Sequence, residues 1–151
     1  LREDLSLAAP QASDAQMLQA LDRVGARWFA QLDEGLDTVI GSQGVQLDPV
    51  ASQQLALARI LLLDPKIVIM DEATAEAGSV GAEALEKAAI EVTRGRSALV
   101  VAHRLDQAAR ADRIIVMDNG RVVEQGSHHD LLDYGGRYKH LWDAWQKGRQ
   151  G

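Results

Sequence analysis

The sequence has no cysteine, only three prolines, and few aromatic residues: three tryptophans, two tyrosines and one phenylalanine among 151 residues. Without cysteine the chain has no disulfide and no thiolate metal site, which is typical of the cytoplasm. It also lacks an apolar run of about 18 residues, because Arg59 and Asp64 interrupt the longest candidate, around Leu55 to Leu63. The sequence therefore predicts no membrane-spanning helix.

An excess of basic residues is missing as well. Acidic residues number 22 and basic residues 16, which gives a net charge of −6. This balance argues against a surface that binds nucleic acid or an anionic membrane. The length of 151 residues allows one ordinary domain with a sizeable core, and not two.

The phosphate-binding loop Gly-x-x-x-x-Gly-Lys-Ser/Thr is absent. Each of the four lysines lacks the glycine before it and the hydroxyl residue after it: Lys66, Lys87, Lys139 and Lys147. The chain as given therefore does not cradle the α- and β-phosphates of a nucleotide by the usual route.

What the sequence does contain is a run of four apolar residues, 67–70, followed by the acidic pair Asp71 and Glu72. Such a run predicts a strand that is buried on both faces, as in a parallel sheet between helices. A strand of this kind delivers its last residues to the carboxyl edge of the sheet, where open α/β folds bind ligands. The alternative is a buried strand that simply ends in two solvated acids.

A second apolar strand, 98–102, ends in His103 about thirty residues after the acidic pair. This order of strand, Asp-Glu, strand and histidine resembles the Walker B strand and switch histidine of ATP-binding cassette (ABC) ATPases, most of all the exporter type. The resemblance runs from about Arg2 to about Trp145. Without it, a lone histidine after a strand is usually only a polar terminus.

The resemblance implies an α/β fold, part of a RecA-like P-loop NTPase core with a mostly parallel sheet flanked by helices and an inserted ABC α-helical subdomain. Residues 1–63 would form the helical signature subdomain. Residues 64–151 would form the C-terminal half of the core, with Walker B, the D-loop and the switch histidine. The first residues, Leu1 to Leu5, resemble the stretch that follows the glutamine loop, so the half of the domain with the phosphate loop would be missing.

The resemblance also implies roles for individual residues in the use of ATP and Mg²⁺. Asp71 would order Mg²⁺ through water, because Mg²⁺ keeps much of its hydration. Glu72 would polarise the attacking water as a general base, and His103 would stabilise charge on the γ-phosphate. The D-loop positions, where the family usually has Ser-Ala-Leu-Asp, are altered to Ala75, Glu76, Ala77 and Gly78.

The family signature Leu-Ser-Gly-Gly-Gln, which holds the γ-phosphate of ATP bound on the partner domain, is replaced by Leu47, Asp48, Pro49, Val50 and Ala51. The replacement predicts a sound helix start, with Asp48 as N-cap and Pro49 at the first helical position. It makes a poor phosphate clamp. A carboxylate about 5 Å from a phosphate costs roughly 3 kcal/mol per unit charge at an effective dielectric of about 20, and it competes for the amide donors.

Local patterns predict several further elements. Ser13 and Gln16 form a capping-box pattern for a helix that begins at Asp14 and ends at Val24. A short helix should cover 27–32, where Trp28 and Phe29 could be a binding platform, although core packing explains them better. A helix over 80–92 and a short helix over 105–110 follow.

The C-terminal part predicts a strand over 113–117, a turn at 118–120 and a returning strand over 121–125. Ser127 should cap the next helix. Tyr138, Leu141, Trp142 and Trp145 recur at helical spacing, so the last helix should pack on its own domain, or else present a partner surface. The neighbouring histidines at 128 and 129 could bind metal, but no third ligand is evident.

The function predicted by resemblance is a nucleotide-binding domain fragment of an ABC exporter, which couples ATP hydrolysis to export at the cytoplasmic face of a membrane. The loop that starts at Thr38 and ends at Gly44 would contact the transmembrane domains. A second ABC ATPase domain would complete the sites, with a heterodimer favoured by the altered signature. Two alternatives remain: a non-hydrolytic module that binds nucleotide or stabilises a dimer, and an ABC ATPase of DNA repair or translation, which the acidic charge disfavours.

Overall fold

The computed structural model describes residues 1–71, 79–102 and 104–148. The chain divides into two compact units, Leu1–Val100 and Val101–Gly151. The elements of the first are α1 (Arg2–Ser6), α2 (Asp14–Arg23), α3 (Pro49–Leu63), β1 (Ile67–Met70), α4 (Ser79–Thr93) and β2 (Ser97–Val100), with 3₁₀ turns at Arg27–Gln31 and Gly35–Asp37. Those of the second are α5 (Leu105–Ala108), β3 (Ile114–Asp118), β4 (Arg121–Gly126), α6 (His128–Tyr134) and α7 (Arg137–Gly148). The mixed α/β class predicted from the sequence is confirmed.

Helix α2 begins where its capping chemistry predicts. The Ser13 side chain accepts from the N–H of Gln16, and the Gln16 side chain accepts from the N–H of Ser13, so the predicted capping box is present. The helix ends at Arg23 with Val24 as its cap, within one residue of the prediction. Gly25 then takes a φ of 69°, a left-handed conformation that glycine adopts without strain.

The core of the first unit is built from α1, α2, α3, α4 and one face of β1. Leu5, Leu21, Val24, Ala58 and Val92 are among its most buried members. Trp28 and Phe29 are partly buried against this core, as predicted, although their segment forms a 3₁₀ turn instead of an α-helix. Helix α3 contributes buried residues to this core from Ala51 in its first turn to Leu61 in its last.

Strands β1 and β2 form a parallel pair with Val68 opposite Ala98 and Met70 opposite Val100. One face of β1 is buried, with Val68 and Met70 exposed by only 4% and 6%. The other face is open, because Ile67 is 68% and Ile69 71% exposed. The prediction that β1 is buried on both faces is wrong, because the described part of this unit packs helices on one face only.

The second unit contains the predicted antiparallel hairpin, in which Ile114 pairs with Gly126 and Asp118 with Arg121. Asn119 and Gly120 have φ angles of 48° and 76°, the left-handed pair that a two-residue hairpin turn requires. Helix α6 starts at a second capping box, formed by Ser127 and Asp130. Helix α5 is shorter than predicted and ends at Ala108.

Helix α7 packs on its own unit through Tyr138, which is 1% exposed and joins Ile114 and Leu131 in a small core. Tyr138 Oη lies 2.8 Å from His128 Nδ1. Trp142 stands edge-on to the His128 ring with the centroids 4.5 Å apart. The predicted packing of this helix on its own domain is confirmed for this face, while Leu141 remains 49% exposed.

Two kinds of feature are absent from the described residues. Within residues 1–71, 79–102 and 104–148 no helix is long and apolar enough to cross a membrane. In the same residues no group of three or more histidines, cysteines or acids could hold a metal ion, so His128 and His129 have no third protein ligand there.

Candidate functional site

The carboxyl edge of the β1–β2 pair carries the first predicted site residue. Because the strands are parallel and Met70 lies opposite Val100, both strands end at the same edge of the sheet. Asp71 follows β1 directly, and its side chain is exposed there. Its carboxylate oxygens are the kind of ligand that Mg²⁺ prefers. The position expected for a ligand in an open α/β sheet is thus held by an exposed acid.

The other predicted residues of this edge lie outside the described part of the chain. They are Glu72, His103 and the D-loop positions Ala75, Glu76, Ala77 and Gly78. Their roles stay predictions. Within the described residues, Asp71 belongs to no group of three or more acids or histidines that could hold a metal ion.

The signature positions lie at the N-terminus of α3. Asp48 is the N-cap, with its Oδ1 accepting from the N–H of Ala51 at 2.7 Å, and Pro49 occupies the first turn. The predicted helix start is confirmed. Of the remaining positions, Leu47 and Val50 are half-buried and Ala51 is buried.

This cap removes most of the donors that an anion would need. Pro49 has no N–H, the N–H of Ala51 is taken by the Asp48 carboxylate, and the N–H of Ser52 donates to Asp48 O at 2.9 Å. In the part of the chain that the structure describes, Val50 alone keeps a first-turn N–H without an acceptor. A helix N-terminus normally attracts anions, but here the exposed carboxylate of Asp48 already occupies that position.

The 38–44 loop is a closed turn with its own hydrogen bonds. The N–H of Val45 donates to Val39 O at 2.9 Å, and the N–H of Gly41 donates to Val45 O at 3.0 Å. A side chain at Gly44 would overlap the carbonyl of Val39, so this position needs glycine. The loop leaves Val39 58% exposed at its surface.

Ion pairs of Arg2 connect the start of the loop to neighbouring helices. Arg2 Nε donates to Asp37 Oδ1 at 2.8 Å, and the Arg2 guanidinium also pairs with Asp14. The hydrogen bond from Arg2 lowers the pKa of the Asp37 carboxyl. Arg2 thus connects the loop to α1 and α2.

Gln54 was not predicted from the sequence, although it positions α3. It is only 3% exposed and donates to the carbonyls of Val24 and Gly25 at 3.1 and 3.0 Å. Its Oε1 accepts from Trp28 Nε1 at 3.1 Å. A glutamine in the middle of an apolar helix run was the available signal, because a buried amide requires partners.

No protein-family model matches the chain. The ATP-dependent lipid A-core flippase of Alkalilimnicola ehrlichii is 42% identical over 143 residues, which are 93% of this chain and 24% of that protein. The mycobactin import ATP-binding/permease protein IrtA of Mycobacterium tuberculosis is 41% identical over 153 residues, covering 97% of this chain and 17% of that protein. The chain thus spans about a quarter or less of the length of these relatives.

A solved structure of an ABC transporter is also similar to this chain. A bacterial Atm1-family ABC exporter with ATP bound superposes with a TM-score of 0.80 at 33% identity, over 95% of this chain and 25% of that one. The fold therefore fits a fragment of a P-loop NTPase. The chain is a homologue of ABC transporter ATP-binding and permease proteins, exporters among them, and it matches a small part of each.

Proposed function

We propose that this chain is part of the nucleotide-binding domain of an ABC exporter, and that its signature half and its Walker B half serve two different ATP sites. The observation that carries the proposal is the contrast between the exposed acid Asp71 at the sheet edge and the self-capped helix start at Asp48. The acid Asp71 would suit a metal–nucleotide complex, whereas the carboxylate of Asp48 would repel a phosphate.

At the sheet edge, Asp71 would hold Mg²⁺ through water. The ion, when bound, neutralises charge on the β- and γ-phosphates of ATP. Glu72 would accept a proton from the attacking water, and His103 would donate a hydrogen bond to the γ-phosphate oxygens. The last two assignments are based on the family resemblance.

At the start of α3, the carboxylate of Asp48 would repel a γ-phosphate. The cost is about 1 kcal/mol per unit charge at 5 Å if Asp48 stays exposed to water, and about 3 kcal/mol if a partner excludes water. Val50 would offer the phosphate a single amide. The altered D-loop at 75–78 would also weaken the contact between this chain and the partner ATPase domain.

A heterodimer with a second ABC ATPase domain accommodates both features. A partner with an intact signature would complete the site that contains Asp71, and the weak signature of this chain would face a partner site that only binds ATP. The exposed surface of the 38–44 loop would contact transmembrane domains on the cytoplasmic face. The division into a helical part, 1–63, and a core part, 64–151, belongs to the same proposal.

The remainder of the parent protein would supply the phosphate loop. It would also cover the open sheet face, where Ile67, Ile69 and Leu99 are 68%, 71% and 55% exposed. An apolar face of this kind is normally covered in a folded protein.

The second candidate is a non-hydrolytic module that binds nucleotide or stabilises a dimer. The capped and phosphate-poor start of α3 favours it. An ABC ATPase of DNA repair or translation is less well supported, because the net charge is −6.

Glu72→Gln in the complete transporter distinguishes the two candidates. For the exporter we expect turnover to fall by about two orders of magnitude or more, since general bases contribute roughly 10²–10⁴-fold, while bound ATP is retained. ATPase assays and nucleotide retention after gel filtration measure both. Hydrolysis unchanged by the substitution would favour the non-hydrolytic module.

A further inference from the structure

The turn between β3 and β4 holds Asn119, which is the only asparagine of the chain, followed directly by Gly120. Both residues are exposed. Within the described part of the chain, the carboxamide of Asn119 has no hydrogen-bond partner and the N–H of Gly120 has no acceptor. The side-chain amide carbon and the backbone nitrogen that follows it are thus both open to water and held by no other group.

The surroundings of Gly120 leave its nitrogen accessible. A Cβ added at this glycine would meet no atom within 4 Å beyond its chain neighbours. Because glycine carries no side chain, its nitrogen is the backbone amide that a preceding carboxamide reaches most easily. Asparagine is among the thermolabile residues. The Asn-Gly pair that suits a two-residue hairpin turn therefore also places together the two groups that react in asparagine deamidation.

We propose that Asn119 is a site of spontaneous deamidation in the folded protein, with aspartate and isoaspartate as products. The Gly120 nitrogen loses its proton to hydroxide and attacks Cγ of Asn119. A new N–Cγ bond closes a succinimide ring while the Cγ–Nδ2 bond breaks, and ammonia leaves with a proton from water. Water then opens the ring at Cγ, which gives aspartate, or at the main-chain carbonyl carbon of Asn119, which gives isoaspartate. The inference requires no nucleotide and is independent of the proposed function.

The structure gives isoaspartate a consequence beyond the turn, because contacts on both sides of the turn hold the start of α7. Asp118, before the turn, pairs with Arg137. Glu124, after it, accepts from the N–H groups of Arg137 and Tyr138. Isoaspartate lengthens the main chain by one carbon, and turn type and length set the register of a hairpin. The modified turn would therefore disturb the pairing of Asp118 with Arg121 and weaken the contacts to α7.

Mass spectrometry of the full 151-residue chain follows the reaction, because a carboxyl group is heavier than the amide it replaces and no second asparagine contributes. A blocked peptide of residues 114–121, the fragment that trypsin also releases, gives the rate without the fold. At mildly alkaline pH we expect the folded chain to react no more than about a hundredfold slower than the peptide, since exposed turns open locally at little cost in free energy. Reaction through global unfolding alone would be slower by about a thousandfold or more. A slowing of more than about a hundredfold overturns the proposal.

Asn119→Gly is the matched control, because Gly-Gly also forms this turn and carries no carboxamide. This variant should gain no mass under the same conditions. In the unsubstituted chain the added mass should lie in the tryptic peptide of residues 114–121, with isoaspartate separated from aspartate by chromatography. Equal mass gain in the two chains, or a gain outside this peptide, contradicts the assignment.

Asn119→Asp separates the lengthened main chain from the added charge. This variant carries the charge on a normal main chain, so its melting temperature should stay within about 1 °C of that of the unsubstituted chain. The chain that holds isoaspartate should melt about 2–4 °C lower. Equal melting temperatures of the two modified forms would show that the turn does not support α7 in the proposed way.

Discussion

At the scale of single residues, Gln54 shows how a polar side chain can support an apolar helix. Its amide is buried and satisfied by three partners, the carbonyls of Val24 and Gly25 and the indole of Trp28. Each bond contributes about 1 kcal/mol, but the loss of Gln54 would leave all three partner groups without their bond. The cost of removal therefore exceeds that of one hydrogen bond.

We expect Gln54→Leu to lower the free energy of unfolding by about 2–3 kcal/mol, because partners left unsatisfied cost about 1–3 kcal/mol. Urea denaturation followed by circular dichroism measures it. Gln53→Leu is the matched control, since Gln53 is only half-buried, and it should change stability by less than about 0.5 kcal/mol. Equal effects of the two substitutions would contradict the role given to Gln54.

Tyr138 gives a prediction about alkaline pH. Burial raises the pKa of its hydroxyl above the usual value, so the unfolded chain ionises first as pH rises. The stabilising contribution is therefore complete below about pH 10 and is lost as pH rises through the folded pKa. Stability measured from pH 8 to 11 should fall less steeply in Tyr138→Phe than in the unsubstituted chain. Identical slopes would show that Tyr138 is not the group responsible.

At the scale of elements, the start of α7 depends on a side chain from the hairpin. The Glu124 carboxylate accepts from the N–H groups of Arg137 and Tyr138, the latter at 3.0 Å. A side chain at Gly136 would overlap this carboxylate. The cap thus joins a glutamate on β4 to the start of α7, and a side chain at Gly136 would push that carboxylate aside.

Glu124→Ala should lower the free energy of unfolding by about 1–2 kcal/mol, the usual cost of a lost helix cap. Gly136→Ala should act on the same cap, so the double variant should lose less than the sum of the single variants. Urea denaturation of the four chains forms the cycle. Strict additivity would show that Gly136 and Glu124 act independently.

The elements that could be predicted from the sequence are those specified by neighbouring residues. Ser13 with Gln16, Ser127 with Asp130, and the Asn119–Gly120 turn each define a boundary through local hydrogen bonds or backbone preference. The partners of Gln54 and Glu124 are distant in sequence, so these contacts required the fold. The open face of β1 was mispredicted because an apolar run does not reveal which side is covered.

The candidate site was predictable to a similar extent. The position of Asp71 at the end of a parallel strand and the cap formed by Asp48 followed from sequence pattern.

At the scale of the whole molecule, we propose that the two halves of the chain serve different ATP sites. The edge with Asp71 would bind Mg²⁺ and nucleotide, while the start of α3 carries a carboxylate where an anion would bind. In a homodimer both sites would bear the Asp48 penalty of about 1–3 kcal/mol, which is roughly 5-fold to over 100-fold in affinity. A heterodimer confines that penalty to one site.

The most direct test compares two changes in the complete transporter with its partner. Asp71→Asn should reduce ATP hydrolysis by about two orders of magnitude, because it would remove the carboxylate proposed to hold Mg²⁺ through water. Asp48→Ser with Pro49→Gly, which rebuilds a phosphate clamp, should alter hydrolysis by less than about twofold, since in this account the site it faces only binds ATP. Strong hydrolysis by the parent purified as a homodimer, or a large gain from the rebuilt signature, would contradict the assignment of the two halves of the chain to different ATP sites.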